Sequence, residues 1–432
     1  MSLPTLTVEV AFTTDPDSST PAYQDVSSYA VSGSIRRGRQ YELDQIQPST
    51  LTLTLNNGDR RFDPTYSFSP FYPYVLPMRK IRVSATWSGT TYRLFTGYVE
   101  RWPIEWDQPA WGTVTLTAVD GFGVLGNALI ADEFPQEFTG SRINRVLTAA
   151  AWPASTPQPG GYWTLGTSAL DTTTILSYGI PATNLAAGQS QVQDVTFAVT
   201  DNVNALQHIQ DVVDAERGVF FINGAGDAVF FDRLDRYNTS SVVTFTDNAG
   251  TLDATHLPYK DRQLQPDCDV TRIVNDVTVT RDGGTAQNAV DNASRQTYWR
   301  RSLQLTPPLV SDTEALDQAN YELVLHRATG GPRQMTRFDR IGLNSQANDN
   351  SWPHALGREI SDRVTVVRTP GTTPAGTSET ITKDCFIEAI EHTWSPGVWD
   401  TAFQLSPADP YDVFFELGAS TLDAAATAVL GY

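Results

Sequence analysis

The chain is poor in the residues that most often carry chemistry. Among its 432 residues there are five histidines and two cysteines. His208, His256, His326, His354 and His392 are scattered, and no pair has metal-ligand spacing. His208 and His326 fall on expected helices, where surface or core-rim positions are the ordinary outcome. Cys268 and Cys385 lack a CxxC neighbour and sit beside β-like runs, so each is expected to be a buried free thiol. No apolar run approaches the roughly 18 residues of a membrane-spanning helix. The N-terminus, MSLPTLTVEVAF, lacks a basic segment followed by an apolar one. A secretory signal is therefore not expected, and synthesis in a cytoplasm is.

Positive charge is also short: 30 basic residues face 49 acidic ones, for a formal charge of −19. Such a balance argues against a surface that binds nucleic acid by neutralising phosphates. It suits a surface that DNA must pass without sticking, and equally suits ordinary solubility. GxSxG, P-loop, HExxH and GxGxxG motifs are all missing. Asn348-Asp349-Asn350 resembles the start of a calcium loop but lacks its glycine and distal glutamate, and reads as a polar turn. No cofactor is expected.

What is present is β structure. Hydrophobic residues make up 40% of the chain, enough for globular folding. The length calls for two to four domains. The stretch Leu94 to Asp120 organises the reading: two apolar runs flank a connection rich in Trp and Pro. In the second run Val114, Leu116 and Ala118 face one way and Thr113, Thr115 and Thr117 the other, the period of a half-buried strand. A similar design returns in Phe386 to Trp394 and Thr401 to Asp409. Phe95, Val99 and Glu100 match Phe386, Ile390 and Glu391, with Trp102 and Trp394 following. Ile81-Arg82-Val83 and Arg363-Val364-Thr365-Val366 precede them. We read one β-barrel module used twice.

Between these modules the character changes. A short helix is expected from Ser141 to Ala151, and a stronger one from about Asn202 to Arg217 with Leu206, Ile209 and Val213 inward. The hairpin Val219–Ile222 and Ala228–Phe231 follows, turning at Asn223-Gly224-Ala225-Gly226-Asp227. Thr156 to Ser190 reads as loop or irregular β structure. Ser311-Asp312-Thr313-Glu314 is a capping box opening a helix to about Ala328, with Leu316, Ala319, Leu323 and Val324 inward. The expected domains are 1–125, a first β-barrel; 126–260, an α+β insertion; 261–410, a second β-barrel; and 411–432, a C-terminal tail. The fold class is mainly β with an α+β middle domain.

Two stretches are candidate contact surfaces. One is the turn Arg36, Arg37 and Arg39. The other is Asp63 to Pro77, crowded with Pro and with Phe68, Phe71, Tyr72 and Tyr74, which cannot be a central strand or helix. Such a loop either docks a partner, as exposed aromatics do, or caps the open end of a barrel. Glu100 and Glu391 are the carboxylate pair to inspect for a glycosidase. Matching positions in separate modules are not expected to converge, so a structural role is preferred. Trp102, Trp106 and Trp111 are a candidate sugar platform, against the commoner use of Trp in cores.

Taken together, these motifs resemble a known family, the minor tail proteins of actinobacterial long-tailed phages. The resemblance is clearest in IRRGRQYELDQIQPSTLTLTLNNGDRRFDP (Ile35 to Pro64), FSPFYPYVLPMRKIRV (Phe68 to Val83) and LFTGYVERW (Leu94 to Trp102). It continues in SRINRVLTAAAWPA (Ser141 to Ala154), GVFFINGAGDAVFFDR (Gly218 to Arg233) and NDVTVTRDGG (Asn275 to Gly284). The order of parts is similar to the hub fold of phage baseplates and tail tips. That resemblance implies a homotrimer whose six barrel modules match a sixfold tail tube or distal tail ring. It implies as partners that hexameric protein, the tape-measure protein and tip or receptor-binding proteins, with DNA only as transit cargo. A virion tail-tip location follows. The alternatives are a distal tail ring protein, which usually needs one barrel, a tip-borne cell-wall hydrolase, and a carbohydrate-binding adhesin.

Overall fold

The computed structural model describes residues 2–18, 20–108, 111–152, 183–237, 239–260, 264, 266–326, 335–371 and 379–413. It is mainly β with several helices, built on one 14-stranded mixed sheet. The N-terminal strands are β1 (Thr5–Ala11), β2 (Gln24–Asp25), β3 (Ala30–Gly38), β4 (Gln47–Asn56), β5 (Lys80–Trp87), β6 (Thr90–Arg101), β7 (Ile104–Gln108) and β8 (Trp111–Val119). The C-terminal part supplies Arg340–Leu343, Arg363–Arg368, Ile381–Ser395 and Val398–Pro407, and the short strands Thr244–Thr246 and His256–Pro258 join its edge.

Alternation sets the inward faces. Leu51, Leu53 and Leu55 of β4 are fully buried, and Val114, Leu116 and Ala118 of β8 lie in the same core. β4 pairs with β8 in register from Thr50↔Val119 to Asn56↔Thr113, so both sets of apolar side chains share one face. Asn57-Gly58 closes no hairpin: β4 leads instead into the aromatic loop, and the chain returns as β5.

Two runs of the sheet have the same strand order. β5–β6–β8–β4 is matched by Arg363–Arg368, Ile381–Ser395, Val398–Pro407 and Arg340–Leu343. All pairs within both runs are antiparallel, and in each the strand earliest in the chain comes last. β3 joins them, bonded to β4 on one side and to Ile381–Ser395 on the other. Among the described residues no pairing closes either run into a ring; the sheet continues from one to the other. A single apolar cluster holds Val8, Leu53, Val83 and Val99 together with Phe245, Trp352, Val364 and Phe403.

A second apolar cluster lies apart. It is built on the helices Thr139–Ala149 and Ala205–Glu216 and the hairpin Val219–Ile222/Ala228–Phe231. The segment Asp276–His326, grouped by sequence with the last β region, also contributes here through Val277, Val279, Leu309, Ala315 and Ala319.

The helix Ala205–Glu216 starts at Asn204, whose side chain accepts from Gln207 N, and stops at Arg217 in a left-handed conformation. Its buried face includes Ile209 and Val212 but also His208 and Glu216. His208 and His326 are therefore buried rather than at the rim. In the helix Asp312–His326 the buried residues are Ala315, Gln318, Ala319, Tyr321, Glu322, Leu325 and His326, while Leu316 is exposed. Polar partners across the interface, Asp214 O for Gln318 and Arg217 for Glu322, share this face with the apolar residues. Cys385 is buried and free as expected, and burial pushes its thiol up. Cys268 is exposed, because its segment runs along the surface. Most of Thr156 to Ser190, Ala328 at the end of the last expected helix, most of the loop after Pro370 and the tail beyond Val413 lie outside the described residues.

Candidate interface and the charged junction behind it

The aromatic loop does two things at once. Phe62 is fully buried and Phe71 half-buried, and their rings stack with Phe12 and Trp102. Phe71 lies 4.2 Å from the Phe12 ring and 5.7 Å from Phe62. These rings close one end of the core, and the Trp102 indole donates to Leu76 O at 2.9 Å. The opposite side of the loop is open. Phe68 is 84% exposed, and Tyr72, Tyr74, Leu76 and Met78 are each more than two-fifths exposed. Asp63 holds the turn by accepting from Arg60 and from the Thr65 backbone and hydroxyl. Within this loop, then, Phe71 packs against the core and Phe68, Tyr72 and Tyr74 are the available contacts.

The arginines of β3 divide in the same way. Successive strand residues face opposite sides. Arg36 is exposed and lies 3.5 Å from Glu391. Arg37, only 3% exposed, donates to Glu359 at 2.5 Å. Arg39, just past the strand, reaches Glu388 at 2.7 Å and the Asp44 carbonyl at 3.1 Å. Arg37 thus leaves almost nothing for a partner, and Arg39 is largely used inside the chain.

Behind that turn lies a buried charge network that sequence reading missed. Glu388 is fully buried at a bulge in the Ile381–Ser395 strand. It accepts from Arg39, from Arg236 at 2.7 Å and from the Ser406 hydroxyl at 2.6 Å. Burial alone raises its pKa, but the two guanidiniums overcome this and hold it down at about 2. Burial works against the Arg236 charge too, and the Glu388 carboxylate more than offsets it, raising the guanidinium above its ordinary value. Arg236 also donates twice to Ser361 Oγ. Ser361 is buried with φ +74°, a conformation that costs a side-chain-bearing residue about 1–3 kcal/mol.

Two more clusters continue the network. Buried Glu216 accepts from Thr139 and the Gln189 and Ser190 backbone, with Arg233 at 3.3 Å. Buried Glu322 accepts from Arg217 at 2.5 Å; burial raises its pKa, and Arg217 and His326 bring it down to about 2. Arg39, Arg217, Arg233, Arg236, Glu42 and Glu322 line a cavity of about 70 Å³ whose apolar wall is Ile46, Phe122, Val219 and Phe220 of the second cluster. Each of these charges has an ion-pair partner within the chain, while Glu42 Oε2 and Glu322 Oε2 accept no hydrogen bond. Among the described residues no group of three His, Cys, Asp or Glu is placed to hold a metal ion.

The hairpin of the middle unit is clamped against the main sheet. Gly224 N donates to Glu359, and Gly224 O accepts from the Thr96 hydroxyl of β6. A Cβ on Gly224 would stand 2.2 Å from the Arg93 carbonyl.

The remaining candidates separate. Glu100 is exposed on β6, whereas Glu391 is held by Arg340 at 2.8 Å and by Arg36. β8, β4 and β3 stand between their strands, so the sheet does not bring the carboxylates together. Trp102 is a core residue and Trp106 is 45% exposed; the Trp111 side chain lies outside the described residues.

No protein-family model matches the sequence, and no curated protein matches it significantly. The fold does have solved relatives. The tail protein from Neisseria meningitidis MC58 superimposes with a TM-score of 0.55 at 12% identity, covering 94% of this chain and 96% of that one. The 43 kDa tail protein of prophage MuSo2 from Shewanella oneidensis does so at 0.52 and 11% identity, covering 94% and 99%. The chain therefore has the fold of phage-type tail proteins across nearly its whole length.

Proposed function

We propose that the chain is a structural hub at the tail tip of a long-tailed phage, of the kind its motifs suggest for actinobacterial hosts. The single observation that carries this reading is the fold match to two tail proteins over nearly the full length of all three chains. The two four-strand runs of identical order support an internal repeat, with each run standing for one barrel-like module. Three chains with two such modules each would offer six similar faces to a hexameric tail tube or distal tail ring. The other side would carry tip or receptor-binding proteins. The tape-measure protein and DNA would pass through the axis, past a surface whose net negative charge does not retain DNA. Phe68, Tyr72 and Tyr74 are the proposed contacts with a neighbouring tail protein, and Arg36 a lesser one. The proposed role is architectural rather than enzymatic.

Native mass measurement with negative-stain images of the same sample tests the reading. A trimer with six lobes is expected. A hexamer would instead place the chain in the distal ring. Clearing of cell walls in a zymogram, lost in Glu100→Gln or Glu391→Gln, would replace the architectural reading with a hydrolase.

A further inference from the structure

Trp299 stands out in the segment Asp276–His326. It ends the helix Asn292–Tyr298 with φ 62° and ψ 176°, a region otherwise occupied almost only by glycine. Its indole is nevertheless 85% exposed, so packing of that side chain does not explain the conformation. The turn is held from beneath by Asn275, which is fully buried. Asn275 Nδ2 donates to Trp299 O at 2.8 Å, and its Oδ1 accepts from Arg301 N at 2.8 Å. Its backbone N–H donates to Arg301 O at 3.0 Å. A buried amide thus spends its hydrogen bonds on fixing a strained turn whose visible product is a protruding indole.

The surroundings of that indole are positive in an otherwise acidic molecule. Arg300 is paired with the buried Asp276 at 2.5 Å. Arg295, one helical turn before Trp299, and exposed Arg301 have no carboxylate partner among the described residues. A rigid Trp flanked by Arg is the composition of an interface anchor. Its complement is an apolar spot rimmed by carboxylates.

The same chain carries such a spot on its middle unit. Leu129 is 60% exposed and Val199 80% exposed. The chain segments around them run side by side, with Leu129 opposite Asn204, Glu133 opposite Thr196, and Phe197 N donating to Asp132 O. Exposed Asp132, Glu133 and Asp201 belong to the same paired segments as these two apolar side chains.

We infer that Trp299 with Arg295 and Arg301 is a docking knob for the Leu129/Val199 acidic rim of a second copy of this chain. Knob and rim are different surfaces, so the contact is head-to-tail and closes a ring when the rotation allows. The inference rests on the reading of the chain as a self-assembling tail component, and adds the residues through which copies meet.

Sedimentation velocity of the purified full chain over a concentration series tests it. Trp299→Gly removes the indole and relieves the backbone, so its melting temperature should not fall while self-association weakens by about tenfold or more. Arg301→Asp should weaken association as well, and adding Asp201→Arg should restore it. Unchanged association in Trp299→Gly, or no restoration in the charge swap, overturns the inference and leaves the self-assembly reading standing. A wild-type chain that stays monomeric throughout overturns both.

Discussion

Replacing Glu388 by Gln tests the charged junction directly. The substitution preserves shape and leaves one amide oxygen where two carboxylate oxygens accepted from Arg39, Arg236 and Ser406. Arg236 is 3% exposed, so its guanidinium cannot turn to water when the charge opposite disappears. Removing one partner of a buried pair in this way costs about 3–5 kcal/mol. The pKa offers a second route to the size. A carboxylate brought from its ordinary 4.5 to about 2 is favoured in the folded state by roughly 3 kcal/mol, at 1.36 kcal/mol per unit. Because the folded pKa is depressed, this stability is fully present above the ordinary carboxylate pKa and is lost as pH falls toward about 2. Urea unfolding followed by Trp fluorescence at neutral pH measures the loss. Wild type and Glu388→Gln should converge as the pH falls through that window. A variant within about 1 kcal/mol of wild type at neutral pH would refute the view that this buried network stabilises the fold.

Further outcomes follow from the same structure. Burial, with neighbouring arginines adding to it, lowers His392 to about 3 and His208 and His354 to about 4. The unfolded chain takes up protons at these sites first, so stability should fall as pH drops below about 6.5, and His392→Asn should flatten the slope of unfolding free energy between about pH 6 and pH 4. Phe71→Ala should cost about 2–3 kcal/mol in denaturant midpoint measurements, whereas Phe68→Ala should stay within about 0.5 kcal/mol and affect only assembly. Gly224→Ala should unseat the hairpin tip from β6 at a cost of about 1–3 kcal/mol, read as faster amide exchange across Val219–Phe231; unchanged exchange there would refute the clamp.

Much of the fold was legible because local rules and burial agree. The Thr/Leu alternation of β4 and the Thr/Val/Leu alternation of β8 specify half-buried strands, and the structure buries the expected side chains. The apolar spacing of Leu206, Ile209 and Val213 specifies a helix from about Asn202 to Arg217; the structure caps it at Asn204 and ends it at Glu216. The aromatic loop was recognisable from Pro content alone, since Pro at that density cannot continue a ladder. Helix faces were less legible. Gln318, Glu322 and His326 point inward because Asp214 O and Arg217 wait there, and apolar periodicity carries no trace of those partners.

The sequence by itself determined the class of protein: a β-rich chain with an α+β middle, poor in catalytic side chains and strongly acidic. Hydrophobic period, turn chemistry and charge count are local or additive properties, so they can be read in order along the chain. Tertiary structure alone decided the rest. It packed Phe71 against the core and left Phe68 in solvent, three residues apart on one loop, because only one side of that loop meets Phe12. It fused the expected barrels into one sheet through β3, since a strand's second neighbour is chosen by long-range register. It also assembled Arg39, Arg236 and Glu388 from positions as much as 349 residues apart. A buried ion pair at that separation exists only once the sheet has brought its strands together, which is why no stretch of sequence announces it.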